Sequence, residues 1–186
     1  ETWGIEKGLL MGVPDKPETW QMLSDKLDSV FRFQNGLGLK ISCTAVDSGG
    51  HYTDEVYAFC KRNEYRRIFA IKGMGGPGIP LLHKLYRSKK ENAAVFILGV
   101  DSGKTKIMGR IRIKEPGPGY CHFPDDDSRG YDRIYFKGLI SEKLSRRKVK
   151  GQMKLIWEKV ATATKRNEPL DLRNYAQAAF EILNPN

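Results

Sequence analysis

Two short runs of uninterrupted apolar residues constrain this chain more than anything else in it. Ile68-Phe69-Ala70-Ile71 and Ala94-Val95-Phe96-Ile97-Leu98-Gly99-Val100 contain no polar side chain. A strand with one wet face alternates apolar and polar residues; a short run without alternation reads as a strand buried on both faces. Such a sheet needs helices to cover it. Pro17-Glu18-Thr19-Trp20 places proline and an acid in a first helical turn, and Trp20, Leu23, Leu27, Val30 and Phe31 then share one face. Thr53 is read as the cap of a helix to about Arg62, with Val56, Phe59 and Cys60 inward. Asp101-Ser102-Gly103 opens a helix through Ile107 and Ile111, and a final helix runs from about Pro169 to Leu183. Trp3–Met11 and Leu39–Val46 read as further strands. Strands alternating with helices predict an α/β fold, a central mixed sheet flanked by helices. A length of 186 residues suits a single domain, residues 1–186.

Active sites of open α/β sheets gather at the carboxyl ends of the strands. Asp47, Lys72 and Asp101 each stand at or just past the end of a predicted strand. The partner is suggested by charge. Lys and Arg number 32 against 22 Asp and Glu, a net of +10, which points to a polyanion, nucleic acid first. The surplus is concentrated in residues 132–166, with eleven basic and three acidic side chains, whereas residues 1–31 carry three basic and six acidic. Within the basic segment, Leu144–Val149 and Lys154–Val160 read as a hairpin about Gly151, bearing Arg146, Arg147, Lys148 and Lys150. A solvated charged face explains the same pattern. Cys43, Cys60 and Cys121 are too few and too widely spaced for a disulfide framework or a zinc site, so reduced, structural thiols are expected. No window approaches the ~20 consecutive apolar residues of a membrane span, so no membrane partner is expected.

Two glycine motifs invite a nucleotide reading. Gly73-Met74-Gly75-Gly76-Pro77-Gly78 has the G-x-G-x-x-G spacing, but Ile79-Pro80 follows where a helix should begin. Gly99-Val100-Asp101-Ser102-Gly103-Lys104-Thr105 has three residues between its glycines where a phosphate loop has four. A nucleotide-binding enzyme using Gly103-Lys104-Thr105 is therefore a minor alternative. Metal-dependent phosphodiester cleavage needs clustered carboxylates and a basic surface. Asp47 in its Gly-Gly turn suits a ligand, and so does Asn167-Glu168-Pro169-Leu170-Asp171, where Glu168 and Asp171 can share one face. Asp171 equally fits a first-turn carboxylate favoured by the helix dipole, and Asp101 a helix cap.

Taken in order, several motifs resemble the large terminase subunit of lambda-like tailed bacteriophages, in its C-terminal nuclease part. They are Val46-Asp47-Ser48-Gly49-Gly50-His51-Tyr52-Thr53, Ile71-Lys72-Gly73, Gly99-Val100-Asp101-Ser102-Gly103-Lys104, Pro116-Gly117-Pro118-Gly119-Tyr120 and Asn167-Glu168-Pro169-Leu170-Asp171. The resemblance implies a ribonuclease-H-like fold and a two-metal endonuclease, using Mg²⁺ or Mn²⁺, that cuts concatemeric viral DNA during packaging. It implies Asp47 and Asp171 as catalytic carboxylates and metal ligands, with Asp101 and Glu168 as further ligand candidates and Lys72 supporting the scissile phosphate. Arg146, Arg147, Lys148, Lys150, Lys104 and His51 are the residues expected on DNA. The family's first acidic position lies in a strand that would precede Trp3-Gly4-Ile5, so this chain is expected to be a fragment lacking that strand. Implied partners are double-stranded DNA, an N-terminal packaging ATPase, the small terminase subunit and the portal, in the cytoplasm of the host cell. A module that binds DNA or assembles the packaging machine without cutting is the rival expectation.

Overall fold

The computed structural model describes residues 1–160 and 167–185. In chain order the elements are β1 (Thr2–Trp3), α1 (Pro17–Leu27), β2 (Val30–Arg32), β3 (Gly38–Lys40), β4 (Thr44–Asp47), α2 (Thr53–Arg62), β5 (Ile68–Met74), β6 (Leu82–Arg87), β7 (Ala94–Gly99), α3 (Val100–Ile111), β8 (Cys121–His122), α4 (Arg133–Leu139), β9 (Glu142–Val149), β10 (Gln152–Lys159) and α5 (Glu168–Leu183). The chain is mixed α/β. It gathers into two compact units, each built from separate stretches.

One unit comprises residues 9–73, 82–98 and 178–186. Its centre is a four-stranded sheet in the order β4-β5-β7-β6, with β4 parallel to β5 and β6 antiparallel to β7. The sheet is therefore mixed, as the sequence predicts. Ile68, Ala70 and Val95 of the two apolar strands are almost fully buried, against Val56, Phe59 and Cys60 of α2. Trp20, Leu23 and Leu27 of α1 pack on the same cluster, with the Trp20 and Phe59 rings 4.9 Å apart. Each fully buried Val, Ile or Phe among them contributes about 1.5–3 kcal/mol by leaving water. Val30 and Phe31 do not extend the face of α1, because the helix stops at Leu27 and the chain turns into β2. The predicted strand Leu39–Val46 is two strands, since residues Gly38–Lys40 pair back on β2.

The other unit comprises residues 1–8, 74–81 and 99–177. Ile107 of α3, Tyr131, Tyr135 and Leu139 of and beside α4, and Leu170 of α5 form its core, with Phe123 against Tyr131, Tyr135 and Phe136. The strand expected over Trp3–Met11 is only the two residues of β1, paired with the equally short β8. Gly4 then lies against the Tyr131 ring, which a Cβ there would meet at 2.7 Å. β9 and β10 form the predicted hairpin, eight residues a side. Its turn, Lys150-Gly151, takes positive φ at both positions (49° and 81°), the primed turn that matches strand twist. Lys165 and Arg166, the end of the basic segment, lie outside the described residues. The three cysteines are free thiols, and no helix among the described residues is long and apolar enough to cross a membrane.

Candidate active site

The sheet-bearing unit holds Asp47, His51 and Lys72. Asp47 is the last residue of β4, in register with Ile71 of β5. Its Oδ1 accepts the Gly49 amide at 2.9 Å, the Asx turn that aspartate makes over the residues following it. A Cβ on residue 49 would stand 3.1 Å from that oxygen, so glycine leaves the carboxylate its room. Ser48 is buried, and both its amide and its hydroxyl donate to the Ile71 carbonyl, at 2.9 and 2.8 Å. The Thr53 hydroxyl donates to the carbonyls of Ser48 and Gly50, at 2.8 and 2.9 Å. Thr53 therefore ties down the turn from the first residue of α2, and no side chain caps that helix. The result is an exposed carboxylate on a turn anchored to the neighbouring strand.

A cavity of about 330 Å³ opens beside this turn, walled by Trp20, Leu23, Val46 and Val56 and lined also by Asp47 and His51. His51 is exposed. Lys72 follows Ile71 in β5 and is exposed too, and strand alternation sends it to the face opposite Ile71.

The second unit gathers a different set. Lys104 of α3 is 8% exposed, and its Nζ lies 2.8 Å from Glu142 Oε2 and 3.6 Å from Asp171 Oδ1. The Asn167 side-chain amide donates to Glu142 Oε1 at 2.7 Å and to Asp171 Oδ2 at 2.9 Å. Two carboxylates thus share one ammonium and one amide. Asp171 sits in the first turns of α5, where its own amide and that of Leu170 donate to the Asn167 carbonyl. The helix dipole favours negative charge there. Glu168 of the same turn is exposed.

Close packing of α3 on α5 builds this cluster. A Cβ on Gly103 would lie 1.8 Å from Asn174 Oδ1, so only glycine lets the helices approach. Asn174 is fully buried and donates to the Val100 carbonyl at 3.0 Å. Lys104 and Asp171 follow from that contact, one residue beyond Gly103 and one turn before Asn174. Gly103-Lys104-Thr105 is therefore helix, not a phosphate loop, and its lysine is committed to carboxylates. That corrects the nucleotide-binding alternative. Lys104, expected on DNA, has its ammonium inside this cluster. Asp101 does not cap its helix; its Oδ2 accepts the Gly76 amide at 3.0 Å and holds the glycine-rich loop.

Glu142 and Asn167 are the residues sequence reasoning missed. Asn167 stood in a quoted motif without a role, and Glu142 is one of only three acids in the basic segment. Among the described residues, no three His, Cys, Asp or Glu side chains come together as a metal cluster. The donor chemistry nevertheless fits a hard divalent cation, which takes carboxylate and carbonyl oxygens. Glu142 and Asp171 supply such oxygens here, and Asp47 does in the other unit.

The hairpin carries Arg146, Arg147, Lys148 and Lys150, all exposed. Arg147 donates to Glu158 at 2.7 Å. That hydrogen bond holds the Glu158 carboxyl below its ordinary range and raises the Arg147 guanidinium.

An α/β chain of charge +10, with exposed cations on a β-ribbon and carboxylates at a strand end and a helix head, has the electrostatic footprint of the proteins that meet a polyanion. More narrowly, residues 1–186 match the family "Terminase large subunit gpA, endonuclease domain", and the chain belongs to that family. It is 28% identical over 186 residues to the large terminase subunit of Escherichia phage lambda, and 26% identical over 187 residues to that of Enterobacteria phage P21. Each alignment covers 98% of this chain and 28% of the relative, so the chain spans little more than a quarter of their length. No solved structure matches it.

Proposed function

We propose that this chain is a metal-dependent endonuclease domain that cuts double-stranded viral DNA during genome packaging, within a larger terminase subunit. The single observation that carries the reading is the match of its whole length to an endonuclease domain. The geometry supports it in the carboxylates held at element ends and in the basic ribbon. The mixed sheet β4-β5-β7-β6 is proposed to be the core of a ribonuclease-H-like fold, and the chain to act as one domain.

Asp47 and Asp171 are the proposed metal-holding carboxylates, with Glu142 placed beside Asp171 and Glu168 at the helix surface. Two divalent cations, Mg²⁺ or Mn²⁺, would supply Lewis acidity to the attacking water and the leaving oxygen. The chain's own contribution is positional. The Ser48–Ile71 and Thr53 hydrogen bonds fix the turn that presents Asp47, and Asn167 fixes the orientation of Asp171. Lys72 offers an exposed cation for the scissile phosphate. The packaging ATPase, small subunit and portal are its proposed partners, in the host cytoplasm.

The rival reading, a DNA-binding or assembly module without cutting, is favoured by one observation: no three-acid cluster forms among the described residues. Supercoiled plasmid separates the two. Nicking is expected to appear with Mn²⁺ before Mg²⁺, because Mg²⁺ demands near-ideal octahedral geometry. Asp47→Asn and Asp171→Asn should each abolish it, since an amide lacks the charge that holds a divalent cation. Plasmid binding without nicking under either metal would establish the rival. Undiminished cutting by Asp171→Asn would remove Asp171 from the site.

A further inference from the structure

We infer that the β9–β10 ribbon engages duplex DNA with one of its two faces only, the face carrying Arg146, Lys148, Met153 and Leu155, in which cations set on the backbone and apolar side chains touch the groove. This rests on the reading of the chain as a DNA-cutting domain and adds the surface that grips the substrate.

The register divides the ribbon. Directly opposed residues of an antiparallel pair share a face, and faces alternate along each strand. Arg146 opposes Leu155 and Lys148 opposes Met153, so these four lie together, with Leu144 and Trp157 next toward the base. Arg147 opposes Lys154 on the other face, where Glu158 opposes Lys143.

The faces differ in chemistry. Arg146 and Lys148 are exposed and make no ion pair among the described residues. The acid on their face, Glu142, is at the ribbon's base, buried against Lys104. The opposite face carries the Glu158 carboxylate on its open length, bonded to Arg147. A phosphate approaching there meets Lys143 and Lys154 with that carboxylate set among them and Arg147 already neutralised, whereas the first face has no carboxylate on its open length.

The apolar half of the first face is also exposed, increasingly toward the tip: Leu144 41%, Leu155 48%, Met153 65%. Apolar side chains interleaved with unpaired cations suit DNA better than a protein partner. A protein interface would have to desolvate Arg146 and Lys148, which is costly without acids to meet them. DNA neutralises them with phosphates while the apolar side chains pack on sugars and base edges. A two-stranded ribbon fits the major groove, and apolar wedges are used at base steps in the minor groove.

The test is a salt titration of duplex binding by the 186-residue chain, with circular dichroism confirming that each variant folds. Log affinity falls against log salt with a slope of about −0.9 per neutralised phosphate. Arg146→Ala with Lys148→Ala should make the slope shallower by about 1.8. Arg147→Ala with Lys154→Ala, on the opposite face, should leave the slope unchanged. Met153→Ala with Leu155→Ala should weaken binding by about tenfold at every salt concentration, with the slope kept, because apolar contact releases no counterions. If the opposite-face pair Arg147→Ala with Lys154→Ala flattens the slope as much as the Arg146 and Lys148 pair does, or the apolar variant binds like its parent, the one-faced ribbon is wrong while DNA binding stands. If the parent chain itself binds no duplex, the underlying functional reading fails instead.

Discussion

Removing the charge of Lys104 tests whether the Glu142–Asp171–Asn167 cluster holds this part of the fold together. Lys104 and Glu142 are 8% and 9% exposed, and Nζ reaches both carboxylates, at 2.8 and 3.6 Å. Breaking a buried ion pair by deleting one partner costs about 3–5 kcal/mol, because the other charge stays buried. In Lys104→Met, two carboxylates would face each other with only the Asn167 amide between them. Asp171 is 30% exposed and partly solvated, which places the expected loss near the lower figure, about 3 kcal/mol. At roughly 2–4 °C per kcal/mol for a chain of this length, the Tm should fall by about 6–12 °C. Glu142→Gln should cost less, about 2 kcal/mol, since Asp171 remains near the ammonium and glutamine can still accept from Asn167. The double variant removes one charge of each sign. Its loss should therefore be smaller than the sum of the two single losses, by about 1–2 kcal/mol. Urea titration of the four proteins, followed by circular dichroism, measures all three quantities. Two single variants as stable as the parent, or strictly additive losses, would show that the cluster is hydrated and energetically idle.

Three further outcomes follow from the packing. Gly103→Ala would drive a methyl onto Asn174 Oδ1, 1.8 Å from the ideal Cβ, and should destabilise by about 1–3 kcal/mol or more, read in the same titration. Burial, with the Glu64 carboxylate adding to it, pushes the Cys60 thiol up to about 12, so thiol reagents should leave Cys60 unlabelled in the folded chain at pH 8 and label it in urea. The raised thiol also sets a pH trend. In the unfolded chain it ionises near 9.0 and in the folded chain near 12, so its contribution is complete below pH 9 and lost as pH rises towards 12; Cys60→Ala should lessen the alkaline part of that loss in urea titrations.

Much of the backbone could be read from the sequence because its signals are local. The apolar runs gave β5 and β7, helical spacing gave α2, and proline with acids marked the start of α5 to within a residue. Gly151 marked the hairpin turn for the same reason. β6 escaped notice because Leu82-His83-Lys84-Leu85-Tyr86-Arg87 is an edge strand, whose polar residues face solvent and blur the alternation. α4 was hidden inside a segment read only for its charge. Val30 and Phe31 have helical spacing from Trp20, but spacing alone cannot show that a helix has already stopped at Leu27. The site was less legible still. Asp47 and Asp171 can be proposed from residue type and position, whereas Glu142 meets Lys104 across 38 residues, and no local pattern encodes that meeting.

The Gly99–Thr105 motif shows how a phosphate-loop likeness can arise from packing alone. A phosphate loop uses glycine to expose backbone amides and lysine to reach an anion. Here the same two residue types answer different demands. Gly103 is small because Asn174 of α5 occupies the place of its side chain. Lys104 is cationic because that approach carries it to Glu142 and Asp171, which need a counter-charge. Asp101, which would repel a phosphate, instead holds the Gly76 amide. The first two depend on the contact between α3 and α5. The glycine and the lysine are therefore one structural device: the first sets the distance at which the second can serve the carboxylates, and enlarging Gly103 should disturb Asp171 without touching it.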